Sequence, residues 1–182
     1  MAQKPKPVRR IVCIDKPDGG STAIADGPSP DVREDPARPG FASTRIWVTA
    51  STPARIQGLR ETLDAPHTLE PPPGGSVCRI VTFPPDDRWR NVTARDVQRY
   101  FESMGSPGAS TYHAGAPHPY MQKTRTLDFC IVLEGEITLV LDTQEVKLKA
   151  GDTVVQRGTN HAWSNRSNRS CVIAFSSHDA AL

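Results

Sequence analysis

Between Gly105 and Lys123 the chain gathers Tyr112, His113, His118 and Tyr120 in a turn-rich stretch. Imidazole gains and loses a proton near neutral pH and also ligates transition metals, so such a cluster suits proton transfer or metal chemistry. Loop-borne groups of this kind need a scaffold to hold them, and the residues after Lys123 supply one. The four cysteines, Cys13, Cys78, Cys130 and Cys171, lie far apart in apolar, strand-like runs without a CxxC pair. They read as buried free thiols rather than as disulfides or a zinc knuckle.

The scaffold is written in a period of two. Phe129, Ile131 and Leu133 alternate with Cys130, Val132 and Glu134; Gly135-Glu136 marks a turn; Ile137, Leu139 and Leu141 then alternate with Thr138, Val140 and Asp142. This pattern predicts a hairpin with one face buried and the other at least partly enclosed. Further short strands are expected at Glu145 to Leu148, Thr153 to Gln156, Ala162 to Asn165 and Arg169 to Ser176. Short strands at close, even spacing indicate a sandwich or closed barrel, which removes exposed edges.

Upstream, strands are expected at Val8 to Ile14, Ser43 to Thr49 and Ser76 to Phe83, the last stopped by Pro84-Pro85. The 17 prolines and 13 glycines crowd into the first 120 residues, where they oppose long helices. Ser21 to Gly40, rich in Pro, Asp, Gly and Ser, reads as an arm, ordered by contact or mobile, rather than a packed element, and Pro71-Pro72-Pro73-Gly74-Gly75 as a stiff run ending in a turn. One helix is expected within Asn91 to Met104. Thr93 caps it, Asp96 completes a capping box, and Val97, Tyr100, Phe101 and Met104 form an apolar stripe that packs on the barrel or on a neighbouring subunit. The organisation expected is thus 1–75 as N-terminal strands, arm and loops, and 76–182 as a barrel with a helix near 93–104.

Lys plus Arg number 22 against 20 Asp plus Glu, a net charge of +2 that argues against nucleic acid as partner. Lys4, Lys6, Arg9 and Arg10 read as a solvated tail. With no apolar run of membrane-spanning length, and no apolar signal core in Met1-Ala2-Gln3-Lys4-Pro5, the expectation is a cytoplasmic protein with no membrane partner. Asn91, Asn165 and Asn168 stand in glycan-acceptor patterns, read as coincidental on the same ground.

The run Gly151-Asp152-Thr153-Val154-Val155-Gln156-Arg157-Gly158-Thr159-Asn160-His161-Ala162-Trp163-Ser164-Asn165 resembles the second motif of small single-domain cupins (RmlC-like cupin superfamily). The His161 to Asn165 interval is kept; Gln156 stands where a turn proline is usual, and the loop from Gly151 is one residue short. Seven positions before Gly135, Asp128 falls at the family's acidic place, while its two histidine places fall on Gln122 and Thr124, so the first motif is degenerate. The motif-level resemblance covers Leu127 to Ser176. More loosely, Arg9-Arg10-Ile11-Val12 and the Pro-Pro-Gly-Gly before a strand look like cupins of fungi and bacteria found among polyketide-modifying enzymes. The resemblance implies an all-β cupin, a double-stranded β-helix or jelly-roll barrel, with a Pro-rich N-terminal arm and one short helix.

It also implies a site. A divalent metal (Zn, Fe, Mn or Ni) would draw on His161, Asp128, Gln122 and either His113 or His118, but amide and hydroxyl oxygens are weaker donors than imidazole, so no metal is favoured. Without one, His161 and Asp128 become the catalytic pair. Tyr120, Gln122, Thr124 and His118 are expected to bind substrate, with Arg157 on a carboxylate or enolate and Trp163 lining the mouth with Trp47. The leading expectation is a lyase, a dehydratase acting on a small polyketide-like or aromatic keto compound. The alternatives are a metal-dependent decarboxylase or dioxygenase and a non-enzymatic small-molecule-binding cupin. A homodimer is expected, since the short N-terminal strands need an edge to pair with.

Overall fold

The structure, a computed structural model, describes residues 5–56 and 60–181. Met1 to Lys4, where the basic tail was expected to begin, lie outside the described residues. Among the described residues eleven strands and one α-helix follow in order: β1 (Arg9–Asp15), β2 (Ser21–Pro28), β3 (Val32–Glu34), β4 (Ala42–Thr49), β5 (Ser76–Phe83), α1 (Ala94–Ser103), β6 (Thr126–Glu134), β7 (Glu136–Leu141), β8 (Glu145–Lys149), β9 (Thr153–Arg157), β10 (His161–Ser164) and β11 (Cys171–Asp179). They form a six-stranded sheet of order β3-β4-β5-β11-β6-β9, a three-stranded sheet β10-β7-β8, and a ribbon β1-β2. The two larger sheets face each other across the core, the all-β arrangement expected.

Alternation decides which side chains enter. Along β5, Val77, Arg79, Val81 and Phe83 are buried, and along β6, Thr126, Asp128, Cys130 and Val132, while Phe129, Ile131 and Leu133 face out. Helix α1 packs on the core. Thr93 and Asp96 make the reciprocal capping box, and Val97, Phe101 and Met104 are almost wholly buried in the main core with Phe83, Trp163 and Ile173. Burial of a side chain such as Phe101 stabilises the fold by about 1.5–3 kcal/mol.

Four expectations are corrected. β6 and β7 do not form a hairpin: β6 pairs with β11 and β9, and β7 with β10 and β8. Only Gly135 separates the two strands, too little chain for a hairpin loop, so the chain turns a corner between sheets instead. Gly135 takes φ 78°, and a Cβ there would lie 2.8 Å from the Ser170 carbonyl oxygen. The arm at 21–40 does hold packed elements: β2 pairs with β1 and β3 with β4, and Asp35 and Arg38 are buried. Its order comes from polar and cation–π contacts, which an apolar count misses. Arg10 is no tail residue; it is 6% exposed, bonded to Glu61 at 2.6 Å and lying over Trp47. Cys13 is exposed and Cys78 half-buried; Cys130 and Cys171 are the buried thiols, and all four are free.

Candidate active site

A cavity of about 70 Å³ opens between the two larger sheets, lined by side chains from both sheets, from α1 and from the segments around Arg38 and Tyr120. His161 and Asp128, which 32 intervening residues separate in the chain, both line it. Asp128 arrives from β6 at a buried, inward register position, and His161 opens β10. Gln156, at the place of the usual turn proline, accepts a hydrogen bond from the Thr159 hydroxyl and so fixes the turn ahead of His161.

The tautomer of His161 follows from its neighbours. Nδ1 lies 3.0 Å from the Thr159 carbonyl oxygen, which can only accept, so Nδ1 carries the hydrogen. Burial lowers the pKa of the ring, and the neutral imidazole therefore presents its Nε2 lone pair to the Gln122 amide nitrogen at 3.3 Å. Gln122 is held there by a backbone bridge: its N–H donates to the His161 carbonyl at 2.8 Å, and the His161 N–H returns the bond at 3.0 Å.

Asp128 belongs to a short chain of hydroxyls. Thr126 donates to Asp128 Oδ2 at 3.1 Å, which commits its one proton, so Thr124 donates to Thr126 at 2.8 Å. Asp128 Oδ1 is buried without a partner.

Two buried guanidiniums share the cavity, and neither was anticipated. Arg38 stacks 3.6 Å from the Tyr120 ring centroid, 3.9 Å from Phe41 and 4.3 Å from Tyr100. Its Nε donates to Asp35 Oδ2 at 2.7 Å, and the Tyr120 hydroxyl donates to the same oxygen at 2.9 Å. Burial raises the pKa of Tyr120, so that hydroxyl stays protonated and committed to Asp35. Arg79 is anchored by Nη2 to the carbonyls of Leu69 at 2.6 Å and Thr68 at 3.1 Å; burial lowers its pKa to about 10, which leaves it cationic at neutral pH. Arg38 Nη2, Arg79 Nε and Ser43 Oγ, all on cavity-lining residues, lack a hydrogen-bond partner. Buried polar atoms are rarely left so, and all three belong to residues that line the one cavity. Arg79 was legible in principle, because it stands in phase with Val77, Val81 and Phe83; Arg38 carried no local signal.

Of the remaining expected site residues, Tyr120, Gln122, Thr124 and Trp163 line the cavity. The Trp163 ring meets His161 edge-on at 5.9 Å. Arg157 does not: β9 alternation turns Gln156 inward and leaves Arg157 exposed. His118 is buried but outside the lining, against Trp89, with Nδ1 accepting from the Tyr120 backbone; burial lowers its pKa to about 3. His113 is exposed and Trp47 lies under Arg10, both away from the cavity. Among the described residues no three His, Cys, Asp or Glu side chains converge as a metal would require. The donors at the expected place are one imidazole, one carboxylate and the Gln122 amide, a set that does not fit a tight transition-metal site.

Fold and motif together define the class: the chain carries a small single cupin domain related to other cupin-superfamily proteins, with the Cupin_2 (Cupin domain) family model matching residues 109–176. It is 34% identical over 128 residues to phomopsin biosynthesis cluster protein C' of Diaporthe leptostromiformis, covering 67% of this chain and 52% of that protein. Oryzines biosynthesis cluster protein J of Aspergillus oryzae is 49% identical over 57 residues, 31% of each chain. The cupin-domain-containing oxidoreductase virC of Hypocrea virens is 31% identical over 126 residues, 66% of this chain and 48% of that protein. The chain thus spans about half the length, or less, of these curated relatives. Among the described residues no helix is long and apolar enough to cross a membrane.

Proposed function

We propose that the protein is a lyase, a dehydratase that removes water from a small polyketide-like or aromatic β-hydroxy keto compound by acid–base chemistry in this cavity. The observation that carries the reading is the Nε2 lone pair of a neutral, buried His161 on the wall of an aromatic-lined cavity, beside an amide N–H. Substrate displaces the 3.3 Å Gln122–His161 contact, and the freed Gln122 amide turns its N–H to the substrate carbonyl. His161 Nε2 then takes the proton next to that carbonyl. The carbon–oxygen bond at the β position breaks as the double bond forms, and the imidazolium returns its proton to the departing hydroxide, so water leaves and His161 is again neutral. Asp128 Oδ1 accepts from the substrate hydroxyl and orients it for departure.

The relatives named for biosynthesis clusters support a role in small-molecule metabolism. A redox reading is favoured by one observation, the likeness to the Hypocrea virens oxidoreductase, and it would need a metal that the donor set of this chain suits badly. The test is turnover of a panel of β-hydroxy ketones followed by the absorbance of the enone. His161→Ala is expected to lose about 10²–10⁴ in rate, and activity untouched by both His161→Ala and Asp128→Ala would overturn the assignment. Stoichiometric metal retained through purification, and lost in His161→Ala, would favour the redox reading.

A further inference from the structure

We infer that the cavity takes its ligand as an anion, a β-hydroxy keto compound that also carries a carboxylate, with that carboxylate on Arg79 and Arg38 and the hydroxyl donating to Asp128. This deepens the dehydratase reading and rests on it for the site, while making a claim about charge that the reading alone does not make.

The two guanidiniums are built alike. Each is fixed at one end by protein acceptors and has a nitrogen without a partner: Arg38 through Nε on Asp35, leaving Nη2, and Arg79 through Nη2 on two carbonyls, leaving Nε. Their charges are not compensated alike. Arg38 holds an ion pair with Asp35, whereas Arg79, 4% exposed, bonds only neutral backbone oxygens and feels the Asp128 carboxylate from beyond ion-pair distance. A neutral carbonyl would satisfy the free N–H groups but leave the charge of Arg79 without a contact partner, offset only at a distance by Asp128; a carboxylate answers both needs, and guanidinium–carboxylate pairs are among the strong charge-assisted bonds.

Asp128 sets the second half of the ligand. Its Oδ1 is buried and unpartnered on a residue that lines the same cavity, so a ligand offering only acceptors at this oxygen would place oxygen against oxygen. A hydroxyl supplies the missing donor. The small cavity and the nearby carboxylate also weigh against a doubly charged phosphate, which Asp128 would repel about twice as strongly as it repels a single carboxylate at the same distance.

Titration calorimetry on the full chain, with 3-hydroxybutyrate and 3-hydroxy-3-phenylpropanoate, their methyl esters and the corresponding deoxy acids, tests this. The hydroxy acids are expected to bind about tenfold more tightly than their esters and more tightly than the deoxy acids. The preference over the esters is expected to collapse in Arg79→Met, to fall in Arg79→Lys, which keeps the charge but loses the fork, and to survive in His161→Gln. Esters matching acids on the unaltered protein would overturn the inference, and so would an acid preference undiminished in a folded Arg79→Met. The two readings fail separately. Acid-selective binding without turnover removes the dehydratase and keeps the anion site, and turnover of neutral β-hydroxy ketones without any acid preference does the reverse.

Discussion

Gln122 and His161 meet twice, through paired backbone hydrogen bonds of 2.8 and 3.0 Å and through a side-chain contact of 3.3 Å at Nε2. The backbone pairing fixes the distance, so the residue at 122 sets the protonation of the imidazole. Replacing the amide by a carboxylate, Gln122→Glu, puts a negative charge where an amide N–H now donates. NMR titration of the ring is expected to find His161 below the ordinary histidine value in the natural protein and raised in Gln122→Glu. Dehydratase turnover near pH 7 should fall in that variant, since a protonated ring is no base. Identical titrations in the two proteins would mean the side chains do not meet.

Acid should loosen the fold through three imidazoles. His67, His118 and His161 are all held neutral, chiefly by burial, with His67 lowered to about 4 and His118 to about 3. Below about pH 6.5 the unfolded chain takes up protons that the folded chain refuses until its own lower values are reached. The stability is therefore complete above that pH and falls by up to about 1.4 kcal/mol per pH unit for each imidazole. Urea unfolding between pH 7.5 and 4.5 should show the decline, with a shallower slope in His118→Gln; a flat profile would contradict it.

The Arg38–Asp35 pair is almost fully enclosed, with both side chains under 5% exposed. Arg38→Ala strands a buried carboxylate and is expected to cost about 3–5 kcal/mol. Asp35→Asn, which keeps an acceptor for the Tyr120 hydroxyl, should cost less. Denaturant midpoints measure both, and equal losses would mean that the charge of Asp35 carries the pair.

The outward face of β6 presents Phe129, Ile131 and Leu133, each about half exposed, beside Val155 of β9 at 59%. So many large apolar groups on one side of a sheet are unusual for a surface in water. A second copy of the chain, packed face to face, would cover them symmetrically. Sedimentation velocity is expected to give a dimer, and Ile131→Lys a monomer. Deleting the first 20 residues should leave the dimer intact, and its loss there would move the interface to the β1-β2 ribbon.

Much of this was legible locally. The capping residues Thr93 and Asp96 announce the helix, and the alternation of Cys130 and Val132 with Phe129 and Ile131 announces β6. Strand partners are another matter. Gly135-Glu136 has turn composition, yet whether a turn closes a hairpin or carries the chain to another sheet depends on which edges are already taken, here by β11 and β9. His161 and Asp128 could be found because a motif spacing marked them. Arg38 could not, because its burial is created by Tyr120, Phe41 and Tyr100, and no window around residue 38 contains all three rings.

Arg38 and Phe41 come from the first quarter of the chain, Arg79 from its middle and His161 from near its end, so the pocket exists only once these distant stretches have docked. A compound that fits it binds the finished assembly and none of its parts, and adds its own affinity to the grip on the leading segment. Saturation should then register far from the chemistry, as protection of the backbone between residues 21 and 41 against protease, which gives a way to screen for ligands before any reaction is known.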